Sequence, residues 1–408
     1  MGLISQTTKV SVERAREIIL DSTQHIGREQ AGIINAHGRT LAQTIESNID
    51  VPNCDTAAKD GYAASSQDTC GASEKNPRSL SVLAESALSH KKQLEPGTVI
   101  RVQAGHPLPK GADIVIEPGN LYRPSGGPEV LVFNELKTGT NVQPVGMLIG
   151  KCEILLGQGT VITGAEMGIL ASLGKHGITV SRKPRIAIVT TGAGVADIIE
   201  NVEAGGMRNS ARYALVGMVM EAGCDLGRLV HVRGGRIELE KAITSCASCD
   251  AVIVALSPGD KHDNAVLALG NVGSVYFERV HIEPGSATAY GNADGKPVFI
   301  TSNDTILEVF EALIRPGLLN ILGRSVINRP KVSAALKSRL RLNPGYCHYI
   351  KAITSFDQNT YNSNPLNAHG NDMRPWMQPN SLIFIPQNID AVKRGESVEV
   401  ILLLSFGN

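Results

Sequence analysis

Aromatic residues are scarce in this sequence, at 4% of 408 residues with a single tryptophan. Proteins that hold single-stranded nucleic acid stack its bases on aromatic side chains, so this composition argues against such a surface. Charge of one sign is also lacking, because 39 Lys and Arg balance 39 Asp and Glu. A net charge of zero provides no bulk attraction for nucleic acid or anionic lipid. We therefore expect neither nucleic acid nor a membrane as a partner.

Long apolar runs are missing as well, since no stretch approaches the ~18 consecutive apolar residues of a membrane-spanning helix. The first ten residues, MGLISQTTKV, hold no apolar core of a signal peptide. Cysteine is sparse, and the odd number of seven does not suit a disulfide scaffold. These absences predict a protein of the reducing cytoplasm.

The chain does contain enough apolar material, 42%, for a large core, and its length predicts two to three domains at ~150 residues each. The segment SVERAREIILDS, Ser11–Ser22, predicts a helix that begins after an N-cap at Ser11. A weaker helix is predicted at Gly32–Ala42. Another is predicted at Ala165–Leu173, and Gly174 is a suitable C-cap for it.

Between residues 184 and 324 strand-like segments alternate with helical ones, which predicts a mainly parallel sheet with helices on both faces. The predicted strands are Ile186–Thr190, Ala251–Ala255, Ser274–Glu278 and Pro297–Ile300; the predicted helices are Ala211–Ala222, Glu238–Cys246, Asn264–Leu269 and Ile306–Leu313. Short β-like segments fill residues 50–141, and strands return after Arg329. We expect a β-rich domain before the sheet and a small β barrel or sandwich after it.

The carboxyl ends of parallel strands are where open α/β sheets bind ligands. The first predicted strand runs into a loop of small residues, Thr191–Gly194, which offers little besides backbone groups. A second loop, Asp260–Asp263, is densely polar. Its side chains suit general acid–base or metal chemistry, and they equally suit a solvated loop with a helix N-cap at Asp263 or Asn264.

Two further features admit a structural and a functional interpretation. His281 and Glu283 alternate along a strand-like stretch, so both could face one cleft or an exposed sheet edge. Cys246 and Cys249 have the CxxC spacing of redox and zinc sites. Because they end a predicted helix just before a buried strand, we interpret this pair as core.

Several local strings resemble the motifs of one family, the molybdopterin molybdenumtransferases, which comprise the MoeA proteins and the E domain of gephyrin. The matching strings are NIDVPNCDTAAKDGYA (Asn48–Ala63), IRVQAGHPLPKGADIVI (Ile100–Ile116), LLGQGTVITGAEMGILASLG (Leu155–Gly174), PRIAIVTTG (Pro184–Gly192), NSARYAL (Asn209–Leu215) and RPKV (Arg329–Val332). The resemblance covers nearly the whole chain.

The resemblance implies a multidomain α/β plus β fold with four parts. These would be an elongated helical segment, residues 1–47 and 142–182; an inserted β-rich domain, 48–141; a molybdopterin-binding-like parallel α/β domain, 183–326; and a C-terminal β barrel, 327–408. It also implies a homodimer whose cleft lies between the α/β domain of one subunit and the inserted domain of the other. The family reaction inserts molybdate into adenylylated molybdopterin and releases AMP, with a divalent cation such as magnesium.

The family motifs, together with the polar loop at Asp260–Asp263 and the stretch around His281, predict functional roles for particular residues. The catalytic positions are Asp60, Asp260 and His262, of which Asp60 and Asp260 would also hold the metal. The ligand-binding positions are Lys59, Thr191, Gly192, Ser210, Arg212, Ser257, Arg279, His281 and Ser286.

The chain also departs from the family pattern at charged positions. The acidic pair of the family's T-G-D-E-L falls on Ala193 and Gly194, and D-S/T-N-R keeps only its arginine, Arg212, among its charged groups. In the basic K-x-x-x-K-P-G-K-P motif, Glu283 reverses one charge and Ser286 removes another. A carboxylate in place of a lysine repels an anion by ~1 kcal/mol or more when partly desolvated.

Three hypotheses for function follow. The chain is a diverged molybdenumtransferase, or a non-catalytic homologue that binds molybdopterin or a protein partner, or an enzyme of another pathway that reuses the cleft. In the last case Asp60, Asp260, His262 and His281 would form the new catalytic set.

Overall fold

The computed structural model describes residues 9–83, 93–124, 127–202, 206–366 and 379–403. The chain forms two compact units. The larger comprises Met1–Gln43, Gln158–Met167 and His176–Asn408, and the smaller comprises Thr44–Gly157 and Gly168–Lys175. The fold is multidomain α/β plus β, which confirms the predicted class. The four predicted domain boundaries are finer than this division and stay a prediction.

The smaller unit is rich in β structure, as its short apolar segments and turns predict. It contains a sheet of six strands, in spatial order Ile114–Ile116, Gly61–Ala64, Thr98–Val102, Arg78–Val82, Glu129–Val132 and Leu121–Tyr122. Tyr62, Leu80 and Val130 pack in its core. Two short ladders pair Ile45–Glu46 with Ile154–Leu156, and Thr56–Ala57 with Val142–Gln143. Single 3-10 turns lie at Ser66–Thr69 and Pro118–Asn120.

The central element of the larger unit is a six-stranded sheet. Its strands, in chain order, are β1 (Arg185–Thr191), β2 (Asp225–Val232), β3 (Ala251–Leu256), β4 (Gly273–Phe277), β5 (Ala289–Ala293) and β6 (Lys296–Ser302). The helices that alternate with them are α1 (Ser210–Glu221), α2 (Arg236–Thr244) and α3 (His262–Val272). The spatial order is β2-β1-β3-β6-β5-β4. The first four strands are parallel, and β5 is antiparallel to both of its neighbours.

The strands at the centre of this sheet are apolar on both faces because helices cover both faces. Every residue of β3, AVIVAL, is buried, and so are all residues of β1 except Arg185. The chain leaves β1 for β2 on one side and then crosses to β3 on the other. The direction of winding therefore reverses between β1 and β3, and such a switch point opens a crevice at the carboxyl ends of the strands.

The predicted N-terminal helix is present at Val12–Ser22, and the Ser11 side chain accepts a hydrogen bond from the Arg14 amide at 3.2 Å. Its buried face, Ala15 and Ile19, packs against a continuous helical run near residue 306. That run consists of Ile306–Val309, the π-helical Phe310–Ile314 and Arg315–Ile321. Further short elements of this unit are Lys9–Val10 paired with Arg279–Val280, and the 3-10 turn Asn303–Thr305.

The helix predicted at Gly32–Ala42 is wrong. Arg28–Gly32 is a strand that pairs antiparallel with Gly177–Ser181, and one 3-10 turn, Ile33–Asn35, follows it. The tertiary partner, which is almost 150 residues away along the chain, overrides a weak local helical pattern. The helix predicted at residues 165–173 is present as Gly164–Ser172, and Gly174 adopts a φ of +67° beyond its end.

The C-terminal region forms the predicted barrel. Five strands close on themselves, in the order Cys347–Asp357, Thr360–Pro365, Lys331–Leu336, Ser397–Leu402 and Ser381–Ile385. Ile282–Glu283 adds a parallel strand beside Cys347, and Leu340–Arg341 pairs with Ala391–Val392. Ala352, Ile383 and Val400 fill the barrel interior. In the described part of the chain, no helix has both the length and the apolarity needed to cross a membrane.

Candidate functional site

Side chains at the switch point tie three loops of the sheet together. The Ser257 hydroxyl, just after β3, donates to the Thr191 carbonyl at the end of β1. The Ser257 amide contacts the Thr191 hydroxyl at 3.1 Å and the Asp260 carboxylate at 3.2 Å, and that hydroxyl donates to the same carboxylate. Asn303, after β6, donates to the Ser257 hydroxyl at 2.8 Å. The structure thus brings together three of the predicted site residues.

Gly192 lets the first loop approach this cluster closely. Its φ is +127°, and a Cβ atom there would lie 2.8 Å from both Ser257 Oγ and Val195 Cγ2. Only glycine adopts this backbone without strain, and only glycine leaves the space. The close packing of the loop therefore explains why a glycine is present at position 192 in this chain.

A small cleft of about 40 Å³ adjoins the cluster, between the carboxyl ends of β1, β2 and β3. Its walls include Thr191, Asp260, Lys261, Gly235 and Arg236. Helix α2 begins at Arg236 and helix α3 at His262, so two helix N-termini border the cleft. Helix N-termini and cationic side chains both favour an anion. The volume holds about three waters and so suits one anionic group of a larger ligand.

The loop Arg233–Arg236, RGGR, is a part of this cleft that the sequence reasoning missed. Gly234 and Gly235 have φ values of +145° and +93°, and they turn the chain from β2 into α2. The signal was available as a glycine pair between a strand and a helix. It went unused because β2, DLGRLVHV, was not predicted as a strand.

A second polar network lies at the start of α1. The Asp197 carboxylate contacts Arg212 Nη1, accepts from the Tyr213 hydroxyl at 2.6 Å, and accepts from the Ile198 amide at 2.6 Å. The hydrogen bonds from Tyr213 and Ile198, together with the Arg212 charge, lower the pKa of Asp197. Arg212, a predicted ligand-binding residue, is therefore already paired with a carboxylate. Ser210, another predicted residue, is the exposed first residue of α1.

Asn209 and His231 connect this network to β1. The Asn209 side chain caps α1 by accepting from the Arg212 amide, and it donates to the Thr190 hydroxyl at 2.8 Å. His231 Nδ1 lies 3.1 Å from the same hydroxyl, and its Nε2 lies 3.1 Å from the Gly192 carbonyl. Both ring nitrogens are thus used to hold the loop after β1.

His262 lies at the first position of α3 rather than in the loop before it, so the predicted N-cap at Asp263 or Asn264 is wrong; Lys261 holds the cap position. Both ring nitrogens of His262 are buried without a hydrogen-bond partner. Burial, and next the charge of Arg279, lower the pKa of His262. Arg279, a predicted ligand-binding residue, contacts Asp263 at 3.2 Å.

His281, Glu283 and Ser286 lie where the sheet region meets the barrel. His281 Nδ1 is 3.1 Å from the Gly345 carbonyl, and Glu283 accepts from the Asn343 side chain at 2.7 Å. The Ser286 carbonyl accepts from the Val280 amide. These groups make contacts within the turn and with the barrel, and they do not join the 40 Å³ cleft.

In the smaller unit, the predicted residues brace local structure. The Asp60 carboxylate accepts from the Ala104 amide at 2.8 Å, and Lys59 pairs with Glu117 at 2.9 Å. Asp113, which is also part of a family-like string, accepts from the Ser66 amide and hydroxyl at 2.6 and 2.7 Å. Because Ser66 lies 47 residues away along the chain, the carboxylate joins two distant segments of the unit and does not cap its own turn.

The described residues of the single chain do not by themselves assemble a magnesium site, and the metal role of Asp60 and Asp260 stays a prediction. Among the described residues, no group of three or more His, Cys, Asp and Glu side chains could hold a metal ion. Magnesium needs oxygen ligands in near-octahedral geometry, whereas Asp260 is engaged by Thr191 and the Ser257 amide. The CxxC pair is likewise no metal site, since Cys246 and Cys249 are 0% and 1% exposed and lie in the core. Burial raises the pKa of Cys246.

The fold and the cleft define a multidomain α/β protein with a candidate small-ligand site at the carboxyl edge of its sheet. Comparisons with known proteins find relatives that match nearly the whole chain. The MoeA N-terminal region (domain I and II) matches residues 10–174. Molybdopterin molybdenumtransferase 1 of Mycobacterium tuberculosis is 26% identical over 407 residues, covering 93% of this chain and 95% of the relative. The molybdopterin molybdenumtransferase of Bacillus subtilis is 25% identical over 423 residues, covering 98% and 96%.

The structural match is equally extensive. Two crystal structures of the molybdopterin biosynthesis MoeA protein from Pyrococcus horikoshii match with TM-scores of 0.84 and 0.82, at 26% and 25% identity. They align over 98% and 97% of this chain and over the full length of theirs, 100% in both cases. Together these matches show that the chain is similar to MoeA proteins of molybdenum cofactor biosynthesis over nearly its whole length, and they support the resemblance found in the sequence.

Proposed function

We propose that this chain binds molybdopterin, or its adenylylated form, at the carboxyl edge of the α/β sheet. The observation that carries the proposal is the cleft between Thr191 and Lys261, which two helix N-termini and Lys261 border. These groups suit the phosphate of a pterin ligand. The other charged groups of the lining are already engaged, Arg236 by Glu240 and Asp260 by Thr191 and the Ser257 amide. The relatives that match over the whole chain are molybdopterin molybdenumtransferases by name.

Whether the chain also inserts molybdate is a separate proposal. The resemblance to the family favours the first hypothesis, in which molybdate is inserted into adenylylated molybdopterin with magnesium and AMP is released. The donor set described above favours the second hypothesis, a homologue that binds the pterin without metal-dependent turnover. Of the two, we propose binding without insertion by the isolated chain, because the Asp260 carboxylate at the switch point is used in internal hydrogen bonds.

One assay separates these hypotheses. Purified protein is mixed with adenylylated molybdopterin, magnesium and molybdate, and both pterin binding and AMP release are followed. Binding without AMP release supports our proposal. Molybdate-dependent AMP release establishes an insertase instead, and failure to bind any pterin favours an enzyme of another pathway.

Variants of single residues sharpen this assay. Lys261→Met should weaken pterin binding about tenfold, because one contact to the phosphate is lost. Lys183→Met is the control and should leave binding unchanged, since Lys183 pairs with Asp225 at the other end of the sheet. If AMP release is observed, Asp60→Ala should abolish it and leave folding intact, and unchanged turnover would exclude Asp60 from the reaction.

The homodimer and the intersubunit cleft implied by the family resemblance are also proposals. Size-exclusion chromatography with light scattering tests them directly. A mass of twice 43.3 kDa supports the dimer, and a mass of 43.3 kDa excludes it.

A further inference from the structure

The loop between β1 and α1 contributes an acidic side chain that the family motif does not place there. The family's acidic pair falls on Ala193 and Gly194, yet Asp197, three residues further on, extends its carboxylate to Arg212. Arg212 is the one charged residue that the chain keeps from the corresponding family motif. The carboxylate therefore already pairs with the guanidinium that an anionic ligand would use.

Arg212 has the features of a cation built to hold an anion. The residue is only 9% exposed, and its Nε atom is buried and lacks a hydrogen-bond partner. A guanidinium binds carboxylate and phosphate best through two parallel N–H bonds. Asp197 contacts Nη1 and leaves Nε unpaired. A ligand with several oxygens, such as a tetrahedral oxyanion, could pair both nitrogens where Asp197 pairs one.

The contacts that hold Asp197 in place are almost entirely polar. No described residue of the loop from Ala193 to Arg208 is buried. Ile198 is 58% exposed and Ile199 is 90% exposed, so neither anchors the loop through apolar packing. Arg208 binds the carbonyls of Asp197, Ile198 and Glu200, which stabilises the loop within itself. Movement of the Asp197 carboxylate away from Arg212 would thus expose little apolar surface, and its cost is the exchange of one anion for another together with the hydrogen bond from the Tyr213 hydroxyl. The short ladder of Val195–Ala196 with Met207–Arg208 holds the two ends of the loop together.

We propose that Asp197 is an internal competitor for the anion position of Arg212, and that binding of a phosphate or molybdate-like oxyanion displaces it. This inference rests on the proposed anion-binding function and extends it to Arg212, which does not line the cleft at Lys261; Asp197 is the residue that would set the affinity at Arg212. Because Asp197 is part of the same chain, it lowers the apparent affinity of Arg212 for an anion. The reduction is set by the ratio of molecules in which Asp197 is paired with Arg212 to those in which it is not. The chain would consequently bind anions more weakly than the retained arginine alone would allow.

The test measures binding of inorganic phosphate and of molybdate by isothermal titration calorimetry at fixed ionic strength. We expect Asp197→Asn to bind both anions about tenfold more tightly than the wild type. Asp225→Asn is the matched control, because it removes the same charge from an exposed ion pair with Lys183 and leaves Arg212 untouched. Tighter binding in both variants would indicate a general charge effect and overturn the proposal.

Hydrogen exchange on the wild type provides a second readout that needs no variant. Saturating phosphate should speed amide exchange in residues 197–202, because a displaced loop loses its contacts to α1. Slower exchange there would show that the anion binds with the loop in place, which contradicts displacement.

The outcomes also separate this inference from the proposed function. If the wild type binds the anion and Asp197→Asn binds it equally or more weakly, the competitor role is overturned. The proposal of pterin binding is then unaffected. Binding by Asp197→Asn alone supports the competitor. Absence of anion binding in every variant, together with normal pterin binding, refutes the competitor only; absence of both refutes the two proposals together.

Discussion

Lys351 and Glu308 form the most deeply buried ion pair among the described residues, and its removal offers a stringent test of the packing between helix and barrel. Lys351 Nζ lies 3.2 Å from Glu308 Oε1, with side chains 6% and 4% exposed. The second carboxylate oxygen of Glu308 is buried without a partner. Burial raises the pKa of Glu308, and the charge of Lys351 opposes that rise.

Lys351→Met keeps the length of the side chain and removes the charge, which leaves Glu308 buried without its counter-ion. Breaking one partner of a buried pair costs about 3–5 kcal/mol of unfolding free energy. Replacing both partners, as in Lys351→Met with Glu308→Gln, should recover most of this loss, because no charge then remains buried. Urea denaturation followed by circular dichroism measures both variants.

Lys331→Met is the control, since Lys331 and Glu399 form an exposed barrel pair at 2.7 Å. Such a pair contributes at most ~1 kcal/mol. The loss in Lys351→Met should also shrink as pH falls, because a carboxyl whose folded pKa is raised destabilises the fold as pH rises between its unfolded and folded pKa values. A loss no larger than that of Lys331→Met, or one independent of pH, would refute this account of the pair.

Two further predictions concern the candidate site. Because the pKa of His262 is lowered in the folded chain, the unfolded chain takes up a proton first as the pH falls. The free energy of unfolding should therefore decrease below pH ~6.5, with a slope of at most ~1.4 kcal/mol per pH unit. In urea titrations between pH 7.5 and 5.5, His262→Gln should reduce that slope, whereas the exposed control His37→Gln should not. Gly192→Ala should lower the free energy of unfolding by about 1–3 kcal/mol, because residue 192 has a positive φ and approaches Ser257 closely. The control Gly194→Ala has open space around it and should melt within experimental error of the wild type. Equal melting temperatures for the two variants would count against the close packing at Gly192.

The sequence predicts the strongly patterned elements well and the polar strands poorly. The apolar run at Ile186–Thr190 and the helix with its Ser11 cap need no distant partner to be recognised. The strand Asp225–Val232 is not predicted from the sequence because Asp, Gly, Arg and His interrupt its apolar residues. Leu226 and Leu229 stay partly exposed even in the folded chain. This segment becomes a strand through parallel pairing with β1, which is a tertiary effect.

The candidate site shows a similar limit. Family motifs locate Thr191, Ser257 and Asp260, and the structure brings them into one cluster. The motifs do not reveal that Arg212 is neutralised, because its partner lies 15 residues away in a loop without a recognisable pattern. Charge compensation between distant residues depends on the fold, so a residue-by-residue comparison of motifs overestimates how many cations are available to a ligand.

The N-terminal helix has a consequence for how the chain folds during synthesis. Its partners are made late, since Asn320 donates to the Leu20 and Thr23 carbonyls and Tyr290 bonds to Ser22 at 2.7 Å. At the ~5–20 residues per second of translation, the helix waits tens of seconds for this docking surface to leave the ribosome. Its apolar face has no docking surface throughout that interval, so this helix is made early and is among the last elements to be secured.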